Sequence, residues 1–149
     1  MTQGPDPMIR RIDHIGVIVN DLAEARRWLV EVFGLPLQRT VELSDGRIRG
    51  EFYACGEVDI EVLEIGDPEM RSRRLGDGKQ ARIEHIAVEV DHLGDALARL
   101  AVHGVRTTSP EPRRTGNRLN MWTVEETTGG ISYQLIQRLP DPSTGKRPG

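Results

Sequence analysis

Residues 12–29, IDHIGVIVNDLAEARRWL, recur without a gap at residues 83–100 as IEHIAVEVDHLGDALARL. Eight positions are identical between the copies, His14 and His85 among them, far more than chance supplies. Each copy opens with a run rich in β-branched residues, the pattern of a buried strand, and continues with apolar residues at helical spacing. Each therefore predicts a strand followed by a helix. Asn20 and Asp21 offer N-cap oxygens to the first helix and Gly34 ends it, while Asp91 and Gly104 do the same for the second.

Outward from these copies the pattern repeats. Strands are expected at residues 37–43, 47–55 and 58–64, with turns at 44–46 and 56–57. After the second copy, strands are expected at 105–108, 119–124 and 131–137, separated by turns at 109–114 and 127–130. The fold class that follows is α+β: two βαβββ modules, residues 9–65 and 82–138, joined by a linker at 66–81 with a short helix near 69–75. Each module alone leaves an apolar sheet face uncovered. The two are therefore expected to pair about a pseudo-twofold axis into one cupped mixed sheet forming a single domain, residues 9–138. The tails, 1–8 and 139–149, rich in Pro, Gly and polar residues, are expected to be disordered.

Bulk composition bounds the function. With 149 residues, 37 % hydrophobic and 29 % charged, the chain reads as one soluble globular domain large enough to fold without disulfides or a structural metal. A net charge of -3 leaves no broad basic surface, so nucleic acid is not an expected partner. The lone Cys55 forms no internal disulfide, MTQGPDPMIRR lacks the apolar core of a signal peptide, and no apolar run is long enough to span a bilayer. A cytoplasmic protein without a membrane partner is expected.

Strand alternation sorts the side chains. His14 shares a face with Gly16 and Ile18, opposite Ile15, Val17 and Val19; His85 shares one with Ala87 and Glu89, opposite Ile86, Val88 and Val90. The all-aliphatic sets belong under the helices, which leaves both histidines on the other face with a small residue beside each. In VDIEVLE, Glu61 shares a face with Asp59 and Leu63, and in GISYQLIQ Gln134 shares one with Ser132 and Ile136. His14, Glu61, His85 and Gln134 can thus converge. Two imidazoles, a carboxylate and an amide oxygen suit a divalent ion such as Co, Ni, Mn, Fe or Zn better than Ca. His92 and His103 lack such company and are not counted as ligands.

IDHIGVIVNDL, IEVLE, IEHIAVEVDHL, and GNRLNMW followed by GGISYQLIQ resemble the vicinal oxygen chelate superfamily, and within it the methylmalonyl-CoA epimerases most closely. The resemblance implies paired βαβββ modules around a metal held by His14, Glu61, His85 and Gln134. It also implies a general base at Glu51 in RGEFYACG, acting on the α-proton of an acyl or oxo-acid substrate through a metal-stabilised enolate. Two departures stand out. The epimerases usually carry glutamate where Gln134 stands, and the loop VEETTGG lacks their His-Pro-Lys-Ser type turn. An amide takes no proton near neutral pH, so the second acid/base of an epimerase would fall to Tyr53, Glu89 or water. Arg113, Arg114 and Arg118, with Arg71, Arg73, Arg74 and Lys79, could meet an anionic substrate such as a CoA thioester. The alternatives are a glyoxalase-like lyase and a non-catalytic small-molecule binding or resistance protein. Open sheet edges imply a homodimer.

Overall fold

A computed structural model describes residue 4 and residues 6–141. The remaining residues of the two expected tails lie outside the described residues. In chain order the elements are β1 (Ile9–Val19), α1 (Leu22–Arg26, continuing as a π-helical stretch Arg27–Val32), β2 (Leu37–Leu43), β3 (Ile48–Cys55) and β4 (Val58–Ile65). Then come α2 (Pro68–Arg74), β5 (Ala81–Val90), α3 (Leu93–Val102), β6 (Arg113–Thr115), β7 (Arg118–Trp122), a 3-10 turn (Glu125–Thr127) and β8 (Ser132–Arg138). The order βαβββ occurs twice, as the repeat requires, and the fold class is α+β.

The described residues divide into two compact units, residues 13–85 and the described residues up to 12 with 86–141, so that the division passes through β1 and β5. In the unit of residues 13–85, β1 runs parallel to β4, which pairs antiparallel with β3, and β3 with β2. One face packs under α1: Val17, Val19, Tyr53, Ile60 and Val62 meet Leu22, Ala25 and Leu29. The opposite face is closed at one end by Ile18, Ile48, Leu63 and Ile65 against Leu75 and Met70. The stretch expected as a linker therefore carries a helix that covers this end of the histidine face. Asp67 caps that helix by accepting from the Met70 N–H.

In the other unit β6, β7 and β8 form an antiparallel ladder. Val88, Val90, Met121 and Leu135 pack with Leu93 and Ala96 of α3, so the repeated Leu and Ala of the second copy lie where those of the first do. Helix entry is also repeated. The Leu22 N–H donates to Glu64 at the end of β4, and the Leu93 N–H donates to Gln137 at the end of β8.

Three local expectations change. Asp91 does not cap α3: it pairs with Arg10, and the cap position is His92, whose side chain makes no capping bond. The strand expected at 105–108 reduces to a bridge between Thr107 and Thr123. The segment expected as a turn instead supplies β6, because RRTGNRL is itself a hairpin with Gly116 at φ +59. Pro110 and Pro112 carry no N–H, so the pairing that begins at Thr107 does not extend through 109–112 as a strand.

Ile18 is fully buried in the cluster that closes the histidine face. Ile18→Ala is expected to lower unfolding stability by about 2–5 kcal/mol, measured as a shift of the urea midpoint at unchanged slope.

Candidate metal centre

His14, Glu61 and His85 come together, all three buried. The two histidine Nε2 atoms are 3.4 Å apart, and Glu61 Oε1 lies 3.7 Å from His14 Nε2 and 3.3 Å from His85 Nε2. Donor atoms bound about 2.1 Å from one ion stand about 3.0–3.4 Å from one another. The three atoms need shift only slightly to share an ion, and the donor set fits a divalent first-row metal.

The repeat supplies the orientation as well as the ligands. Each histidine follows an acidic residue, and that residue's carboxylate accepts from the ring: His14 Nδ1 bonds Asp13 at 2.8 Å and His85 Nδ1 bonds Glu84 at 3.0 Å. With Nδ1 held as a donor, Nε2 is the atom that offers a lone pair once the ring is neutral. Glu84 is in turn held by a two-point contact with Arg74 of α2, at 2.8 and 2.7 Å. Burial alone would raise the Glu84 carboxyl, but its bonds to Arg74 and His85 prevail and hold it at about 2. Burial likewise disfavours a charged His85, yet bonds to Glu61 and Glu84 prevail and push it up to about 9.

Gly16 explains how two imidazoles fit. A Cβ there would overlap the His85 ring atoms Cε1, Nε2 and Nδ1. The small residue beside His14 makes room for the other histidine. Phe52 forms another wall, meeting the His14 ring edge-on with centroids 5.7 Å apart.

Gln134, in the other compact unit, is buried on β8, and its Nε2 donates to Asn120 Oδ1 at 3.1 Å. Asn120 in turn donates to the Arg113 carbonyl. Asn120 belongs to the quoted GNRLN segment, but its bond to Gln134 is visible only once β7 and β8 are paired.

Glu51 requires a correction: it is not on the histidine face. It pairs in register with Val62, whereas Phe52 pairs with Glu61. Its carboxylate accepts from Arg26 of α1 at 3.0 Å, beneath the helix, and its other oxygen has no partner. Tyr53 shares that face, its hydroxyl also unpartnered, and burial raises its pKa. The two-residue turn at 56–57 pairs Cys55 with Val58, and counting back along it puts Phe52, not Glu51, opposite Glu61. That signal was present in the sequence. Of the cations expected to meet an anionic tail, Arg74 is committed to Glu84.

The model of the Glyoxalase/Bleomycin resistance protein/Dioxygenase superfamily matches residues 11–134. The uncharacterized protein YqjC of Bacillus subtilis (strain 168) is 24 % identical over 134 residues, covering 89 % of this chain and 96 % of that protein. Mitochondrial methylmalonyl-CoA epimerase of Bos taurus is 27 % identical over 111 residues, covering 74 % of this chain; the chain spans 63 % of the bovine protein's length. The crystal structure of methylmalonyl-CoA epimerase from Mycobacterium tuberculosis aligns with a TM-score of 0.76 at 21 % identity, covering 95 % of this chain and 97 % of that one. A methylmalonyl-CoA epimerase in complex with methylmalonyl-CoA and ammonium aligns with a TM-score of 0.76 at 20 % identity, covering 94 % of this chain and 99 % of that one.

Two outcomes test the centre. Gly16→Ala is expected to displace His85 and weaken binding of Co or Zn by about a hundredfold, a loss of two of the tenfold steps that separate nanomolar from micromolar affinity, with the fold retained by circular dichroism. Metal uptake below pH 9 must release the His85 proton, so affinity is expected to fall about tenfold per unit as pH drops from about 9 toward 7. Calorimetry in buffers of different ionisation enthalpy reads that proton directly.

Proposed function

Because the chain belongs to the glyoxalase/bleomycin resistance protein/dioxygenase superfamily, we propose that it is a metal-dependent, isomerase or epimerase-like enzyme. Its substrate is a small acyl compound, such as a CoA thioester, or an oxo acid, and the reaction passes through the enolate. The observation that carries the reading is the buried group of His14, Glu61 and His85, with each histidine oriented by its own carboxylate. The epimerases among the relatives support it.

A divalent ion of the Co, Ni, Mn, Fe or Zn group, bound there, would supply a Lewis acid for the negative charge that develops on a substrate oxygen. The residues do the rest. Asp13 and Glu84 fix the imidazoles, Phe52 keeps water from one side, and Gly16 keeps space for His85. Gln134 stands where the family resemblance implies a further ligand, and its amide oxygen is the donor assigned here. A neutral amide in place of a carboxylate leaves one more unit of positive charge to act on substrate.

Proton transfer needs a base on the histidine face. Glu51 lies on the other face, bound to Arg26. Asp59 shares the face of Glu61 and pairs in register with His14, and we assign it that role. The same reading expects a cytoplasmic homodimer paired through open sheet edges.

Exchange of the α-proton of methylmalonyl-CoA and of 2-oxo acids in deuterated water tests this. With metal bound, Asp59→Asn is expected to slow exchange at least about a hundredfold, within the usual worth of a general base, while Glu51→Gln stays within about threefold. Exchange that persists in the double variant His14→Ala, His85→Ala would defeat the proposal.

A further inference from the structure

β2 leaves its hairpin turn in unbroken register with β3, from Leu43 opposite Ile48 through Val41 opposite Gly50 to Arg39 opposite Phe52. Arg39 therefore alternates onto the face of Phe52 and Glu61. A β-bulge at Gln38 follows, and it turns only the next residue, Leu37, over to pair with Tyr53. Arg39, Phe52, Glu61 and Gly16 then form one row across β2, β3, β4 and β1.

The Arg39 guanidinium carbon lies 3.8 Å from the centroid of the Phe52 ring, and Phe52 itself abuts His14. Arg39 is exposed, and among the described residues no carboxylate pairs with it. Arg10, Arg26, Arg49 and Arg74 are each paired with an acid. A guanidinium stacked on an aromatic ring has its N–H groups in the ring-parallel plane, open to a carboxylate that approaches edge-on. Its backbone stands two strand spacings from Glu61, about 10 Å, a distance that a side chain on one side and a substrate of several carbons on the other can close.

We propose that Arg39 anchors a free carboxylate of the substrate, held toward the centre by its place on the histidine face and its seat over Phe52. The substrate class is then an acyl or oxo acid that bears a second carboxylate. A lone planar guanidinium matches one carboxylate bidentately, whereas a phosphate dianion asks for more donors than this row contains. This assignment rests on the metal-dependent reading and narrows its substrate.

The test uses the full chain loaded with Co, with 2-oxoglutarate and 2-oxobutyrate as probes, and measures metal affinity and probe affinity separately by calorimetry. Wild-type protein is expected to bind 2-oxoglutarate at least about tenfold more tightly than 2-oxobutyrate, within the range of one charge-assisted bond. Arg39→Met is expected to erase that preference and Arg39→Lys to restore part of it, with metal affinity within about twofold of wild type in both. A preference that survives Arg39→Met, or wild-type protein without a preference, overturns the assignment while the metal titration leaves the centre standing. Wild-type protein that takes up no ion overturns both.

Discussion

The site depends on one close approach: the imidazole of His85 rests against the backbone of Gly16, where no side chain leaves room for it. That contact brings the Nε2 atoms of two histidines from duplicated strands to 3.4 Å. Everything else in the centre follows from holding that geometry. Asp13 and Glu84 fix the rings through Nδ1, and Arg74 on α2 fixes Glu84, so the helix between the two copies is bound into the support of the site.

Duplication explains the likeness of the halves, and the departures from it show where function resides. The copies match at the helix anchors, where Leu22 and Ala25 correspond to Leu93 and Ala96. They diverge at Gly16 against Ala87, and in the last strands, where Glu61 and Glu64 correspond to Gln134 and Gln137. Glu64 and Gln137 both accept from a helix N-terminal N–H, so exchanging carboxylate for amide preserves that job. Glu61 and Gln134 are different. A carboxylate brings charge to an ion and an amide does not, so a centre with a single acidic ligand would hold a more electrophilic metal than one with two.

Most of the fold was legible because it is written in periodicity. β-branched runs, helical spacing and glycine turns gave β1 to β4, both repeat helices and α2 within a residue or two at their ends. His14, Glu61 and His85 were legible because parity placed them on the face away from the helices. The losses have physical causes. Residues 105–108 contain little that is apolar, and their pairing with 122–124 is limited to a single bridge at Thr107 and Thr123. Glu51 came from the family resemblance alone, and the pairing of β3 with β4 puts it on the face of Val62 under α1. Arg39 alternates regularly with Val41 and Leu43, but its seat over Phe52 is visible only once β2 and β3 are paired.

The most direct measurement is X-ray absorption at the cobalt edge on protein loaded with one equivalent of Co. A single ion per chain, with two imidazole nitrogens and a carboxylate oxygen at about 2.1 Å, and with the imidazole signal lost in His85→Ala, is the predicted result. Stoichiometric cobalt whose first shell is unchanged by His14→Ala and His85→Ala would contradict it.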